Sequence, residues 1–248
     1  MKHLIVLALL LLASIATADA PPLVLPGAEH IVAIGALHGD MDATRRALRL
    51  AGAIDEQDRW IGGELVVVQT GDQLDRGDDE RAILHLLERL QAEAAATGGA
   101  VVVLNGNHEL MNVKGRLSYV TNGGLTDFAE FAPTHIDLTD APMLEVEPGK
   151  RGRLAAFRPG GPYALMLAEH NVIQIVGENI FVHGGVVTRH LEYGLETINT
   201  QVSDWMRGER PRIDWMHKSV SPTWCRIYSV AENDSARAEL AHVLETLG

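Results

Sequence analysis

The chain has 248 residues, a formal net charge of −12 at pH 7 and a single cysteine, Cys225. This length suffices for one domain with a large core, and the acidic charge argues against nucleic acid as a partner. One cysteine excludes a disulfide within these residues, so packing or a bound metal must supply the stability.

The first residues have the pattern of an export signal. A short basic start is followed by an apolar run from Leu4 to Ala16 and by the Ala-x-Ala pattern of residues 18–20. The run is shorter than the roughly 20 residues that span a bilayer, which disfavours the alternative of an uncleaved anchor. We therefore expect a signal peptide at residues 1–20, a periplasmic or secreted location and no stable membrane anchor after cleavage.

Beyond the leader, β-branched runs alternate with amphipathic helical patterns, which is typical of an α/β fold with strands buried on both faces. The predicted strands are residues 30–35, 65–70, 100–104, 172–176 and 179–182, the last two forming a hairpin. The predicted helices are residues 41–51 (capped by Asp40 or Asp42), 78–96, a segment from Glu109 onward, 163–169 and 231–247. Residues 113–162 have no sustained period, and we interpret them as a variable insertion in one domain covering residues 27–248.

Glycine-rich loops with polar residues follow the strong predicted strands. They read GALHGD (35–40), GDQLDRG (71–77), NGNHE (105–109) and HGG (183–185). In an open α/β sheet, ligands bind at the carboxyl ends of the strands. The four loops are therefore expected to converge on one site.

The residue types of these loops point to one chemistry. Aspartate, histidine and asparagine without cysteine suit manganese, iron or zinc. An aspartate can bridge two such ions, which together activate water and hold a phosphate for in-line attack, and the forked Arg76 suits a phosphoryl oxygen. Each feature alone has a structural alternative: a surface ion pair, a simple turn or a hydrogen-bonded histidine. Their shared position after strands favours the metal site.

GDQLDRG and GNHE, with HGG at His183, resemble the signature motifs of the calcineurin-like metallophosphoesterases, within the phosphoprotein phosphatase superfamily. GALHGD, the segment Trp224-Cys225-Arg226 and the secretory leader are most similar to the bacterial Shewanella-like protein phosphatases. The resemblance covers residues 32–248. It implies an α/β sandwich of two mixed sheets flanked by helices, with two divalent ions (manganese, iron or zinc) at the strand ends.

The resemblance also implies a set of metal ligands. By motif match, His38 binds the first ion, Asp72 bridges both ions, and Asn107 and His183 bind the second.

The implied catalytic residues come from the same motifs. His108 is the general acid, Asp75 holds its imidazole, and Arg76 binds the phosphate oxygens. Arg226 is a candidate second phosphate clamp, with an ordinary surface arginine as the alternative.

Two departures from the family concern metal ligands. The family has an aspartate two residues before the histidine of the first motif, where this chain has Ala36. Similar chains continue into a strand and a Gly-His-Thr motif that completes the second ion's ligands, whereas this sequence stops at Gly248, so a truncated C-terminal part is expected. Loss of even an indirect partner of a metal ligand commonly costs about 10–100-fold in affinity or activity, so we expect impaired metal binding.

Three functions stay open at this point. The first is a metal-dependent hydrolase of phosphorylated proteins or small phosphomonoesters. The second is a degenerate or fragmentary member that only binds. The third is a nucleotide-polyphosphate hydrolase of the same superfamily.

Overall fold

The computed structural model describes residues 21–137, 139–229 and 233–248. The predicted signal peptide lies outside these residues. No helix within them combines the length and the apolar character that crossing a bilayer requires.

The strands form two three-stranded sheets. They are β1 (Val24–Leu25), β2 (Ile31–Ile34), β3 (Val66–Gln69), β4 (Ala100–Val103), β5 (Ile173–Val176) and β6 (Asn179–Val182). One sheet has the order β1-β5-β6 and is mixed, because β1 pairs parallel and β6 antiparallel with β5. The other has the order β2-β3-β4, and both of its pairings are parallel.

The described residues form ten α-helices. They are α1 (Met41–Leu50), α2 (Glu80–Ala95), α3 (Asn107–Val113), α4 (Asn122–Thr126), α5 (Ala141–Glu145), α6 (Arg151–Phe157), α7 (Pro162–Ala168), α8 (Thr188–Tyr193), α9 (Leu195–Arg207) and α10 (Asp234–Leu247). Short 3₁₀ turns lie at Ala129–Phe131 and Pro148–Lys150.

The two sheets pack against each other between the helical layers, which confirms the predicted sandwich. Successive side chains of β3 point to opposite faces. Val66 and Val68 pack against the other sheet, whereas Val67 packs in a cluster with side chains of α1 and α2. Beyond the other sheet, Ile173 of β5 packs in a further core cluster that includes Ile198 of α9.

Most predicted elements are confirmed. The five predicted strands and the β5–β6 hairpin are present at the predicted positions. Four of the strands are one or two residues shorter than predicted. Asp40 caps α1, because its side chain accepts the backbone N–H of Ala43 at 2.8 Å. Helix α3 begins at Asn107, before the predicted Glu109. The two-residue β1 and the helices α8 and α9 were not predicted.

Residues 113–162 contain several short helices. Helices of one or two turns are too short to show a clear hydrophobic period, which is why the sequence gives no signal for them. Helix α6 belongs to the core, since Ala156 and Phe157 pack in the same cluster as α9 and Leu154 is also buried. The status of the segment as an insertion stays a prediction.

A buried histidine, His170, lies between α7 and β5. Its Nδ1 has no hydrogen-bond partner within the described part of the chain. Burial lowers the pKa of this imidazole from 6.5 to about 4. The side chain is therefore neutral in the folded protein at neutral pH.

We expect the free energy of unfolding to fall as the pH is lowered from 6.5 towards 4. In this window the unfolded chain binds a proton that folded His170 does not bind until about pH 4. This effect should lower the free energy of unfolding of the wild type by about 2 kcal/mol between pH 7 and pH 5, and His170→Gln should remove that loss. Urea unfolding of both proteins at the two pH values measures the difference. Equal losses in the two proteins would contradict this role of His170.

Candidate metal and phosphate site

The loops after β2, β3, β4 and β6 converge on Asp72, as the sequence predicts. The backbone N–H of His38 donates to the Asp72 carbonyl oxygen at 3.0 Å. The backbone N–H of His108 donates to Asp72 Oδ1 at 3.0 Å, and His183 Nε2 lies 3.1 Å from Asp72 Oδ2. Asp72 is thus the common neighbour of the other three loops.

A buried carboxylate, Glu109, joins the loops after β3 and β4. Its two oxygens accept backbone N–H groups from Asp72 at 2.8 Å, Gln73 at 2.9 Å, Leu74 at 3.1 Å and Gly106 at 2.7 Å. Burial and the nearby charge of Asp72 raise the pKa of Glu109 to about 7, while the N–H donors act in the opposite direction. The ionised form of Glu109 therefore depends on this set of donors.

Three imidazoles present Nε2 to the carboxylate of Asp72. The distances to Asp72 Oδ2 are 3.1 Å from His183, 3.8 Å from His38 and 3.9 Å from His108. Ligand atoms of His38, Asp72 and His108 all lie within 4.8 Å of one another. Such a concentration of imidazole and carboxylate ligands suits a divalent metal.

Hydrogen bonds on the other ring nitrogen fix two of these histidines. Nδ1 of His38 lies 2.9 Å from the Leu74 carbonyl oxygen, and Nδ1 of His183 lies 3.1 Å from the Thr70 carbonyl oxygen. A carbonyl oxygen only accepts, so each Nδ1 carries the hydrogen. The neutral imidazole then has its lone pair on Nε2, which is how metal-binding histidines are held.

Asn107 supplies an oxygen that needs a partner. Its side-chain Oδ1 is buried and has no hydrogen-bond partner among the residues that the structure describes, a condition that native proteins rarely leave uncompensated. A Cβ on the preceding Gly106 would overlap Asp72 Oδ1, so only glycine allows the two loops to approach this closely. The predicted ligands therefore fit a divalent ion.

Electrostatics favour a positive charge beside Asp72. Burial opposes ionisation of Asp72 and His183, but their hydrogen bond and mutual attraction outweigh it. The pKa of Asp72 is lowered and the pKa of His183 is raised. A cation is therefore stabilised at this point of the site.

His108 and Asp75 form the predicted dyad. His108 Nδ1 lies 2.6 Å from Asp75 Oδ2, and both side chains are buried. The carboxylate holds the hydrogen on Nδ1, so Nε2 is the atom that faces Asp72. This orientation suits proton transfer to or from a group bound next to Asp72.

The fully buried Arg153 of α6 supports the dyad from behind. Its guanidinium donates to Asp75 Oδ1 at 3.4 Å, to Asn112 Oδ1 at 2.8 Å and to both carboxylate oxygens of Glu80. Glu80 also accepts the backbone N–H of Asp75. The segment interpreted as an insertion thus contributes one positive charge that contacts two buried carboxylates.

Backbone strain is concentrated at the site. Of the five described non-glycine residues with positive φ, four are predicted site residues: His38, Asp72, Asp75 and Arg76. Each such conformation costs about 1–3 kcal/mol and persists only when surrounding contacts enforce it. Here the hydrogen bonds of the converging loops supply that enforcement.

Arg76 lines an open cleft of about 820 Å³ together with His38 and Ala36. Its guanidinium lies 5.4 Å from the centre of the Tyr119 ring, and the residue is exposed. It is therefore available to bind an anion in the cleft. Ala36 is exposed to the same cleft and offers no ligand atom.

Arg226 is the predicted site residue that the structure does not join to the others. It is exposed, and its guanidinium donates to the Cys225 carbonyl oxygen at 3.4 Å. Its segment does pack behind the His183 loop, because Gly184 and Gly185 donate to the Pro222 carbonyl oxygen at 2.9 Å each. Its role as a phosphate clamp stays a prediction.

Sequence reasoning missed Arg153, Glu80 and Tyr119. The Tyr119 ring lies 5.2 Å from the His108 ring. Arg153 stands directly before the apolar run of residues 154–157, which is the one local sign that it is buried. None of the three lies in a recognised motif, and the contacts of Arg153 with Glu80 and Asp75 connect residues far apart in sequence.

Comparisons with known proteins agree with the motifs. Residues 29–243 match the family described as calcineurin-like phosphoesterase. The chain is 39% identical over 247 residues to Shewanella-like protein phosphatase 2 of Arabidopsis thaliana, covering 88% of this chain and 63% of that protein. It is 41% identical over 90 residues to Shewanella-like protein phosphatase 1 of Plasmodium berghei, covering 36% of this chain and 25% of that protein. This chain thus spans less than two thirds of the length of either relative.

A solved structure shows the same fold. It is that of a cold-active protein tyrosine phosphatase from a psychrophilic Shewanella species, with a TM-score of 0.70 and 23% sequence identity. The match covers 92% of this chain and 66% of that chain.

Arg153→Leu should lower the free energy of unfolding by about 3–5 kcal/mol, because it leaves the buried carboxylates of Glu80 and Asp75 without their cation. Arg151→Leu is the matched control on the same helix. Arg151 is half-buried and donates to one carbonyl oxygen, that of Val146, at 3.0 Å, so its loss should cost about 1 kcal/mol or less. Urea unfolding compares the two variants, and similar losses would contradict the charge-neutralising role of Arg153.

Proposed function

The chain belongs to the calcineurin-like phosphoesterase family, and from this premise we propose that it is a metal-dependent phosphomonoester hydrolase of the protein phosphatase type. The observation that carries the proposal is the group of three imidazole Nε2 atoms within 3.1–3.9 Å of the Asp72 carboxylate. The neighbouring Asn107 oxygen, which has no partner in the described residues, supports it.

Two unequal ligand sets are available for divalent ions. Asp72, Asn107 and His183 would hold one ion, and His38 would share Asp72 to hold the other. When bound, a pair of such ions lowers the pKa of a water molecule and neutralises charge on the phosphate. The set that includes His38 lacks a carboxylate of its own, because Ala36 stands at the family's aspartate position.

The residues of the chain would divide the remaining tasks. Arg76, at the rim of the cleft, would bind phosphate oxygens and orient the ester. His108 would donate the proton on Nε2 to the departing alkoxide or phenoxide oxygen. Asp75 would hold Nδ1–H and stabilise the protonated imidazole before the transfer.

The substrate would be a phosphorylated protein or a small phosphomonoester. The cleft is wide and open, about 820 Å³, which suits a phosphorylated side chain presented from outside. The signal-peptide pattern of residues 1–20 supports the proposal that the protein acts in the periplasm or after secretion.

One observation favours a second candidate, a family member that binds phosphate with little turnover. Ala36 is exposed in the cleft beside His38 and supplies no lone pair. A weakly held first ion would leave the attacking water poorly activated.

Hydrolysis of p-nitrophenyl phosphate at limiting Mn²⁺ tests the proposal and ranks the two candidates. We expect Ala36→Asp to raise kcat/KM at least about tenfold, since it restores a ligand beside His38. We expect Asp72→Asn to abolish turnover, because it removes the shared carboxylate charge.

Ala43→Asp is the matched control, because it adds a carboxylate to the same cleft in the first turn of α1, where an acid is tolerated. It should not raise the rate. Turnover that survives in Asp72→Asn would overturn the proposed function, and equal rates for wild type and Ala36→Asp would overturn the claim of impairment.

A further inference from the structure

A small pocket with cationic walls lies at the carboxyl end of α3. Its basic lining residues are Lys114, Arg116, Arg212 and His217, and the apolar side chains of Met111 and Trp224 also line it. We call this set the cationic pocket. The chain as a whole carries a net charge of −12, so a group of like positive charges is unusual on it.

The cations of this pocket affect one another. Partial burial and the charges of Arg212 and Arg116 lower the pKa of Lys114. Partial burial and the charges of Arg212, Lys114 and Lys218 likewise lower the pKa of His217, with Asp214 acting in the opposite direction. Nearby like charges of this kind are relieved by a bound anion.

One nitrogen of a residue that lines the pocket lacks a partner. Nε of Arg212 is buried, and no residue in the described ranges accepts its hydrogen. Buried N–H groups are normally paired, so this one indicates a missing acceptor. Carboxylates and phosphates are the acceptors that guanidinium groups bind best.

The pocket is connected to the proposed catalytic site by Tyr119. The Tyr119 ring lies 5.2 Å from the His108 ring, 5.4 Å from the Arg76 guanidinium and 6.0 Å from the Arg116 guanidinium. Asn107 and Lys114 also lie on one face of α3 and its last turn. At 1.5 Å per residue they are about 10 Å apart.

The size of the pocket restricts the ligand. Its volume is about 40 Å³. This leaves room for a few water-sized groups, and therefore for one carboxylate or for the oxygens on one side of a phosphate group. An extended peptide advances about 3.3–3.6 Å per residue. A distance of about 10 Å therefore corresponds to about three residues.

We propose that the cationic pocket binds a second anionic group of a peptide substrate, about three residues from the phosphorylated residue. The substrate class would then be acidic or multiply phosphorylated peptide segments. This inference rests on the proposed phosphatase function. The shared chemistry is a single anion, supplied either by an aspartate or glutamate carboxylate or by a second phosphate.

The test is a series of phosphotyrosine nonapeptides with alanine elsewhere and one glutamate at each position in turn. In wild type, KM should fall about fivefold when glutamate stands about three residues away on one side, relative to the all-alanine peptide. The difference should shrink at about 0.5 M NaCl, because exposed charges are screened. A parallel series with phosphoserine in place of glutamate distinguishes the two sources of the anion.

Variants test whether the cationic pocket causes the dependence of KM on the peptide's glutamate. In Lys114→Gln/Arg212→Gln the KM ratio between neutral and acidic peptides should approach one. In Arg46→Gln, which removes an exposed charge from α1, the ratio should persist. Lys114→Glu/Arg212→Glu should instead prefer a lysine-containing peptide, a gain that a misfolded variant could not show.

A wild-type KM that does not depend on the position of glutamate would contradict the proposed role of the cationic pocket. So would an unchanged ratio of KM between neutral and acidic peptides in Lys114→Gln/Arg212→Gln. Neither result would contradict the phosphatase function. If wild type hydrolyses no p-nitrophenyl phosphate with Mn²⁺, the proposed function fails. Fluorescence anisotropy of a labelled acidic phosphopeptide then tests the pocket by binding alone. Equal affinity in wild type and the double glutamine variant would refute it.

Discussion

The site depends on one buried carboxylate, that of Glu109. It accepts four backbone N–H groups, three from the loop after β3 and one from the loop after β4. Without it, those donors would be buried without partners, at about 1–3 kcal/mol each. Because the donors belong to different loops, Glu109 fixes the position of Asp72 relative to Asn107 and His108.

The remaining features of the site follow from that constraint. Asp72 is held with positive φ, in a position where His38, His108 and His183 all direct Nε2 towards it. Their Nδ1 atoms are engaged elsewhere, so the imidazoles cannot rotate freely. The geometry is thus organised before any ligand arrives. Under the proposed function the two ligand sets are unequal, since Ala36 lines the cleft beside His38 and offers no ligand atom.

The sequence predicts those parts of the protein whose signal lies in residues close together along the chain. Strands of four residues with continuous valine and isoleucine, and loops such as GDQLDRG, carry their signal within a few positions. The meeting of the Asp72 and Asn107 loops could be predicted because the parallel strands β3 and β4 end at one edge, whereas His183 follows β6 of the other sheet. Arg153 could not, since its partners Glu80 and Asp75 lie more than 70 residues away and no period marks α6. The two-residue β1 was not predicted for a similar reason, since its partner strand β5 lies about 150 residues further along the chain.

The central claim is that the two ligand sets around Asp72 are unequal. Elemental analysis of the protein after equilibration with Mn²⁺ and removal of loosely bound ions tests it most directly. The account predicts about one retained ion per chain in wild type and in His38→Ala, and almost none in His183→Ala. Two firmly retained ions in wild type, or equal losses in the two histidine variants, would contradict it.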